Sequence, residues 1–148
     1  TVSRLVRLRS MKRVSDLLMR EVLHYGIRVR DHTSLRAWQE ARKVSTEVIR
    51  LAHSSWKPYA AALFSQLQKA SLSVQLNIAE GYTYGDSPTF TKHLGIAYGS
   101  AVETGELLRL ALDAGLMGKV PLKALLERTQ ETERILLGML KHRRRFKT

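Results

Sequence analysis

The segment that decides the fold runs from residue 58 to residue 81 and reads PYAAALFSQLQKASLSVQLNIAEG. Its apolar residues recur every three or four positions, so they line one face of a helix. These residues are Leu63, Leu67, Ala70, Val74 and Ile78. The segment carries only two charges, Lys69 and Glu80, and a helix this apolar needs cover from more than one neighbour. It therefore predicts one long helix of a larger helical assembly, with Pro58 in its first turn and Gly81 at its end.

The same spacing continues on both sides of this segment and predicts three further helices. They cover residues 34–54, 88–114 and 121–140. Either Thr33 or Ser34 can cap the first of them. Ser87 followed by Pro88 marks the start of the 88–114 helix, and Gly115 ends it. Because the links hold only about four to seven residues, consecutive helices must be antiparallel. We therefore expect an all-α fold, an antiparallel up-down-up-down four-helix bundle.

The composition excludes several classes of protein. The chain has 148 residues, with 25 Lys and Arg against 13 Asp and Glu, and no Cys. This length suits one domain with a real hydrophobic core. The absence of Cys excludes a disulfide framework, a thiolate metal site and a Cys nucleophile. No apolar run approaches the ~18 residues of a membrane span, so we expect a cytoplasmic protein.

The net charge of +12 is concentrated at the two ends of the chain. Residues 1–32 and 141–148 carry +5 each, whereas residues 33–140 carry only +2. The candidate contacts at the two ends are Arg4, Arg7, Arg9, Lys12, Arg13, Lys141, Arg143, Arg144, Arg145 and Lys147. Such clusters favour a polyanion, most often nucleic acid. We therefore divide the chain into a basic N-terminal extension with a short extra helix (1–32), the bundle (33–140) and a basic C-terminal tail (141–148).

The second and third helices of the bundle carry more apolar residues than one core can cover. In the third helix these extra residues are Ile96, Tyr98, Leu107 and Leu110. We infer a homo-oligomer whose interface uses the second and third helices. The alternative is that polar residues of the second helix, such as Gln66 and Gln75, supply an exposed face. Gly95, Gly99 and Gly105 lie inside the third helix and predict close backbone approach there.

Two short motifs give the chain a family resemblance. They are Asn77-Ile78-Ala79-Glu80-Gly81, and Tyr98-Gly99-Ser100 followed by Glu103. With this spacing, residues 35–140 resemble the four-helix bundle proteins that are encoded in intervening sequences of bacterial 23S ribosomal RNA genes. That family is similar in turn to the accessory variability determinant of diversity-generating retroelements, a basic pentameric bundle that binds nucleic acid and partners a reverse transcriptase. The resemblance implies a non-enzymatic, oligomeric, nucleic-acid-associated bundle, with a pentamer as the expected assembly.

Little in the sequence favours catalysis. Glu80 and Glu103 could form a carboxylate pair that binds a metal or transfers protons. The preferred interpretation is that both accept hydrogen bonds from loop backbone or from an Arg at the subunit interface, because no His or third carboxylate has ligand spacing. We therefore predict no metal, no cofactor and no enzymatic activity. Tyr82 and Tyr84 could stack on exposed bases, although aromatic residues at a bundle end more often cover the core.

These observations lead to one main hypothesis and three alternatives. The main hypothesis is a homo-oligomeric bundle that binds RNA or DNA through phosphate contacts of its basic ends, with no catalysis. An accessory subunit of a retroelement reverse transcriptase belongs to the same class. A structural or protein-interaction module without nucleic acid belongs to a different one. An enzyme is the third alternative and would require Glu80 and Glu103 to face a common pocket.

Overall fold

A computed structural model describes residues 31–145 as four helices, with no strand among these residues. The helices are α1 (Arg36–Ser55), α2 (Ala61–Thr83), α3 (Pro88–Asp113) and α4 (Lys119–Arg145). Each helix packs against its neighbours in the chain, and α1 also packs against α4. These contacts close an antiparallel up-down-up-down bundle, which confirms the predicted fold. The extra N-terminal helix predicted within residues 1–32 lies outside the described residues.

The start of α1 differs from the prediction. Neither Thr33 nor Ser34 caps it, because these residues belong to a separate 3-10 turn, His32–Ser34. The Asp31 carboxylate caps that turn by accepting a hydrogen bond from the Thr33 amide at 2.9 Å. α1 itself begins after Leu35, which offers no side-chain hydrogen bond. An Asp side chain readily accepts a hydrogen bond from the amide two residues later, and here that amide belongs to the 3-10 turn and not to α1.

Two other predicted helix ends are confirmed by the hydrogen bonds around them. The Ser87 hydroxyl accepts from the Phe90 amide at 3.3 Å and so caps α3. At the other end of α3, Gly115 has φ +64°, which only glycine adopts without strain. The Leu116 amide donates back to Ala111 O at 3.1 Å, which satisfies a carbonyl group of the last helical turn.

The helices around Gly81 and Pro121 extend beyond their predicted bounds. Gly81 does not end α2, which continues to Thr83, and it is buried inside the helix. Pro58 opens a 3-10 turn, Pro58–Ala60, and α2 starts after it. α4 starts at Lys119, which leaves Pro121 in the first turn, where no amide donor is needed. It continues through Arg145, so the first residues of the predicted tail are helical.

The core consists of two apolar clusters with a layer of hydroxyl groups between them. One cluster is built around Phe64 and Leu122, and the other around Ile78 and Leu136. The buried hydroxyl residues between them are Ser45, Ser71, Thr104, Thr129 and Thr132. Four of these hydroxyls bond to the carbonyl four residues earlier in their own helix. The layer is thus internally satisfied, as buried polar groups must be.

The glycines of α3 do not behave as predicted within one subunit. Nothing lies within 4 Å of the position that a Cβ would take at Gly95 or Gly99. Both residues face outward on α3, so the expected close approach does not occur there. Gly105 is different, because a Cβ would lie 3.0 Å from a carboxylate oxygen of Glu133 on α4.

Of the helices within residues 31–145, none has the length and apolar character that a bilayer span requires.

Candidate nucleic-acid interface

The basic C-terminal residues lie on the last turns of α4. Lys141 and Arg144 are three positions apart, so they share a helix face, and both are exposed. Arg145 ends the helix. Lys147 lies outside the described residues. The first part of the predicted tail therefore presents two exposed cations from a rigid helix rather than from a loose chain.

Arg143 is the exception among these residues, because its side chain is engaged inside the subunit. Its guanidinium donates to the backbone carbonyl of Ser87 and to the Thr91 hydroxyl, both at 2.9 Å. It also pairs with Asp86 at 2.7 Å and lies over the Phe90 ring, 4.6 Å from the ring centre. Only 14% of the side chain is exposed. The prediction that Arg143 contacts nucleic acid is therefore replaced by a structural role, the clamping of α4 onto the start of α3.

The N-terminal cations cannot be placed in the same way. Arg4, Arg7, Arg9, Lys12 and Arg13 all lie outside the described residues. Their proposed contacts with nucleic acid stay a prediction.

The charges of the bundle are divided between its two sides. α1 and α4, which pack against each other, hold twelve Lys and Arg against five Asp and Glu, a net charge of +7. α2 and α3 hold three against four, a net charge of −1. Since α1 and α4 are adjacent in an up-down-up-down bundle, their cations lie on one side of the molecule. A polyanion is attracted to that side.

Two ion networks join α1 to α4. Glu131 on α4 pairs with Arg36 of α1 at 2.7 Å and with Arg134 at 2.8 Å. The second network is centred on Glu40 of α1, which pairs with Lys43 at 2.7 Å and with Arg128 of α4 at 3.0 Å. Hydrogen bonding from Lys43, with the nearby charges of Lys43 and Arg128, holds the pKa of Glu40 below its usual range. Each network contains two cations and one carboxylate, so both leave positive charge in excess.

The residues of the first family motif hold α2 against α3. The Asn77 amide donates to Ser73 O at 2.9 Å, and its oxygen lies 3.0 Å from Nδ1 of His93 on α3. The Ser73 and Ser100 hydroxyls are 2.8 Å apart across the same pair of helices. Gly81 completes the contact, because a Cβ there would lie 2.5 Å from the His93 Cβ. These motif residues therefore form a structural seam.

The two motif carboxylates lie far apart. Glu103 accepts a hydrogen bond from the Gln66 amide at 2.6 Å. Gln66 precedes Glu80 by 14 residues on α2, which separates them by about 21 Å along the helix. The carboxylate of Glu80 is exposed and accepts no hydrogen bond within residues 31–145. Glu80 and Glu103 therefore do not form a common site. Glu80 accepts no hydrogen bond from loop backbone within residues 31–145, and its predicted contact with an Arg at the subunit interface stays a prediction.

The remaining motif residues and tyrosines occupy ordinary packing positions. Tyr98 packs against the core cluster around Ile78, whereas Gly99 faces outward. Tyr82 packs edge-on against Phe90, with ring centres 5.9 Å apart. Tyr84 stacks on the His93 ring at 5.6 Å. Tyr82 therefore covers the core, and one face of Tyr84 is occupied by His93.

In the part of the chain that the structure describes, no group of three His, Asp or Glu side chains is arranged to hold a metal ion.

Glu133 on α4 is unusual in a way that no sequence pattern indicated. One of its carboxylate oxygens is buried without a hydrogen-bond partner, in the space that Gly105 leaves open. Burial raises the pKa of Glu133 above its usual range, and the nearby Arg109 partly opposes this shift. Gly105 in the middle of α3 is the sequence feature that bears on Glu133. However, the sequence does not show which α4 residue packs against Gly105.

Comparisons with known proteins agree with this architecture. A search of curated proteins gave no match. A crystal structure of a protein of unknown function from the S23 ribosomal protein family of Bacteroides thetaiotaomicron is similar in fold, with a TM-score of 0.64 at 16% identity. The match covers 71% of this chain and 98% of that one. The model of the family described as 23S rRNA-intervening sequence protein matches residues 33–138, which include all four helices except the end of α4. The chain belongs to the 23S rRNA-intervening sequence protein family.

Proposed function

We propose that this protein is a non-catalytic, self-associating four-helix bundle that binds RNA or DNA chiefly through phosphate contacts. The observation that carries the proposal is the uneven distribution of charge, with +7 on α1 and α4 and −1 on α2 and α3. Phosphate contacts from Lys and Arg supply affinity without reading sequence. The family description, which refers to intervening sequences of 23S rRNA, supports an association with RNA.

The exposed cations at the end of α4 are the strongest candidates for phosphate contacts among the described residues. Lys141 and Arg144 are exposed, and neither is in an ion pair within residues 31–145. By contrast, Arg36 and Lys43 on α1 are already paired with carboxylates. A phosphate that binds an unpaired cation displaces only water and counterions.

Replacing both Lys141 and Arg144 by Ala should therefore weaken nucleic-acid binding and flatten its salt dependence. If each residue contacts one phosphate, the slope of log K against log salt falls by about 1.4 for single strands and about 1.8 for duplex. RNA and DNA of unrelated sequences should lose affinity by similar factors. Filter binding over a salt series measures both quantities.

A matched variant removes two exposed cations from the other side of the bundle, by Lys69→Ala with Lys92→Ala. This pair changes the net charge equally and should leave the slope nearly unchanged. Equal effects of the two pairs would mean that only total charge matters. An unchanged slope with both pairs would mean that neither Lys141 nor Arg144 contacts a phosphate. No binding of RNA or DNA by the unmodified protein at low salt would favour a protein-interaction module. Deletion of residues 141–148 is a poorer test, because it also removes the Arg143 clamp.

Self-association is supported by the outer face of α2 and α3. Leu76, Ile96, Val102 and Leu110 are exposed on this face although they are large and apolar. Gly95 and Gly99 lie between them and leave the surface flat. Two of the polar residues that could instead supply an exposed face on α2, Gln66 and Ser73, have side chains hydrogen-bonded to α3. A second copy of the chain would cover this face, and the family resemblance implies a pentamer.

We expect light scattering at micromolar concentration to give the mass of an oligomer. Replacing Leu76 and Ile96 together by Asp should reduce the mass to that of one chain while circular dichroism still shows the helices, because both side chains are exposed in the subunit. Val120→Asp is the control, since Val120 is 80% exposed and lies at the start of α4. A monomeric unmodified protein would contradict the proposal.

The alternative that this protein is an accessory subunit of a retroelement reverse transcriptase stays a prediction.

A further inference from the structure

An open groove of about 530 Å³ lies between α1 and α2, away from the basic end of α4. It is lined by Ile49, Ala52, His53, Trp56 and Gln68. The indole of Trp56 is 53% exposed at one edge of the groove. Covering this ring would be favourable, because an aromatic side chain buries a large apolar area.

The polar side chains of the groove are all available to a ligand. His53, Trp56 and Gln68 make no side-chain hydrogen bond within residues 31–145. Together they offer an indole N–H, an imidazole and an amide, which include both donors and acceptors. The other tryptophan, Trp38, is in a different situation. His32 packs on its ring at 5.1 Å, and the Arg42 guanidinium lies 5.3 Å from the ring centre.

The charge around the groove favours an anion. The 32 residues from Val48 to Ala79 contain no Asp or Glu. Their basic residues closest in sequence to Trp56 are Arg50 and Lys57, and Lys57 directly follows the exposed tryptophan. Arg50 and Lys57 are exposed and have no ion-pair partner among the described residues. The groove thus combines a free aromatic face, unsatisfied polar groups and unpaired cations.

We propose that this groove binds an unstacked base of a single-stranded nucleic acid, with the base stacked on Trp56 and its phosphate near Lys57. His53 and Gln68 face the edge of the base, and Arg50 lies on the same stretch of α1 for the neighbouring phosphate. An unpaired base exposes the flat surface that stacking needs, whereas a paired base hides it inside a duplex. This inference rests on the proposed function and adds to it a preference for single strands.

The groove is separate from the phosphate-binding residues proposed above. Arg36 on α1 contacts Glu131 on α4, and the two helices run antiparallel. From that contact Trp56 lies 20 residues along α1, and Lys141 lies 10 residues in the other direction along α4. At 1.5 Å per residue the two places are about 45 Å apart along the bundle. Substitutions at one of them should therefore leave the other intact.

Tryptophan fluorescence tests the inference directly. The chain contains two tryptophans, so Trp38→Phe leaves Trp56 as the only one. Single-stranded oligoadenylate should quench the emission of this variant, over the same concentration range in which the anisotropy of labelled oligoadenylate rises. A blunt-ended, fully paired RNA duplex and inorganic pyrophosphate should leave the emission unchanged, because neither offers an unpaired base.

The salt series separates stacking from charge. Trp56→Ala in the otherwise unmodified chain should weaken binding of the oligonucleotide at least about fivefold at every salt concentration, without changing the slope. Trp56→Phe should retain most of the affinity, because a ring remains. Lys57→Ala should instead lower the slope by about 0.7 for a single strand. Helix content by circular dichroism confirms that each variant folds.

The outcomes distinguish this inference from the proposed function. If oligoadenylate binds while the emission of Trp56 and the affinity of Trp56→Ala are both unchanged, the groove inference is wrong and the proposed function stands. If the blunt-ended RNA duplex quenches Trp56 as strongly as the single strand, the inference is also wrong. If the protein does not raise the anisotropy of any labelled nucleic acid at low salt, both the groove inference and the proposed function are wrong.

Discussion

Replacing Arg143 by Ala is expected to lower the free energy of unfolding by about 2–4 kcal/mol, the range for losing hydrogen bonds from a charged group together with a cation–π contact. The guanidinium is mostly buried and bonds to a carbonyl of Ser87 and to the Thr91 hydroxyl. It also covers the Phe90 ring. The ion pair with Asp86 adds little, because that carboxylate is 87% exposed. Urea unfolding followed by circular dichroism measures the change.

The neighbouring residue provides the control. Arg144 is exposed and has no partner among the described residues, so Arg144→Ala should change the stability by less than about 0.5 kcal/mol. Arg143→Lys keeps the charge but not the planar fork of donors, and it should fall between the two. Equal stability of Arg143→Ala and Arg144→Ala would show that the clamp contributes nothing. The two arginines should behave in the opposite way in nucleic-acid binding, where Arg144 is the proposed contact.

Much of the fold follows from local signals. The three-to-four spacing of apolar residues identified all four helices, because that spacing depends only on the geometry of a single helix. Ser87 and Gly115 were assigned correctly for the same reason, since each hydrogen-bonding pattern involves residues no more than five positions apart. The short links between helices then left one simple arrangement.

The errors involve contacts between distant parts of the chain. Arg143 looked like one more cation of a basic tail, and its partners are more than 50 residues away. The carboxylate pair of Glu80 and Glu103 was not the preferred interpretation, and it fails because α2 and α3 run antiparallel, which places Glu103 beside Gln66. Asp31 is a local exception, since it was not considered as a cap although it bonds to Thr33, two residues away. The spacing of residues along the sequence does not determine which of several polar side chains will contact each other in the folded chain.

The candidate interface could be predicted only in part. The sequence placed the net charge at the ends of the chain, yet it could not separate the exposed Arg144 from the buried Arg143. It also gave no reason to select Trp56 over Trp38. The difference lies in which neighbours cover each ring, and His32 and Arg42 cover only Trp38.

Gly81→Ala should destabilise the bundle by about 1–3 kcal/mol, the usual cost of an extra methyl group in a filled space. A Cβ at this position would lie 2.5 Å from the His93 Cβ and 3.0 Å from a Phe90 ring carbon. The His93 Cβ is fixed to the α3 backbone and cannot turn away, so α2 and α3 must separate. Their separation would lengthen the 3.0 Å contact between Asn77 and His93. Thermal or urea unfolding measures the loss.

Gly138→Ala makes the same change in α4, where nothing lies within 4 Å of the added methyl group. Because Ala favours a helix over Gly, this variant should gain up to about 1 kcal/mol. Gly81→Ala receives the same intrinsic gain, so any net loss there comes from the contact with α3. A gain in both variants would mean that the two helices can move apart without cost. The seam formed by Asn77, Gly81 and His93 would then not determine how closely α2 and α3 pack.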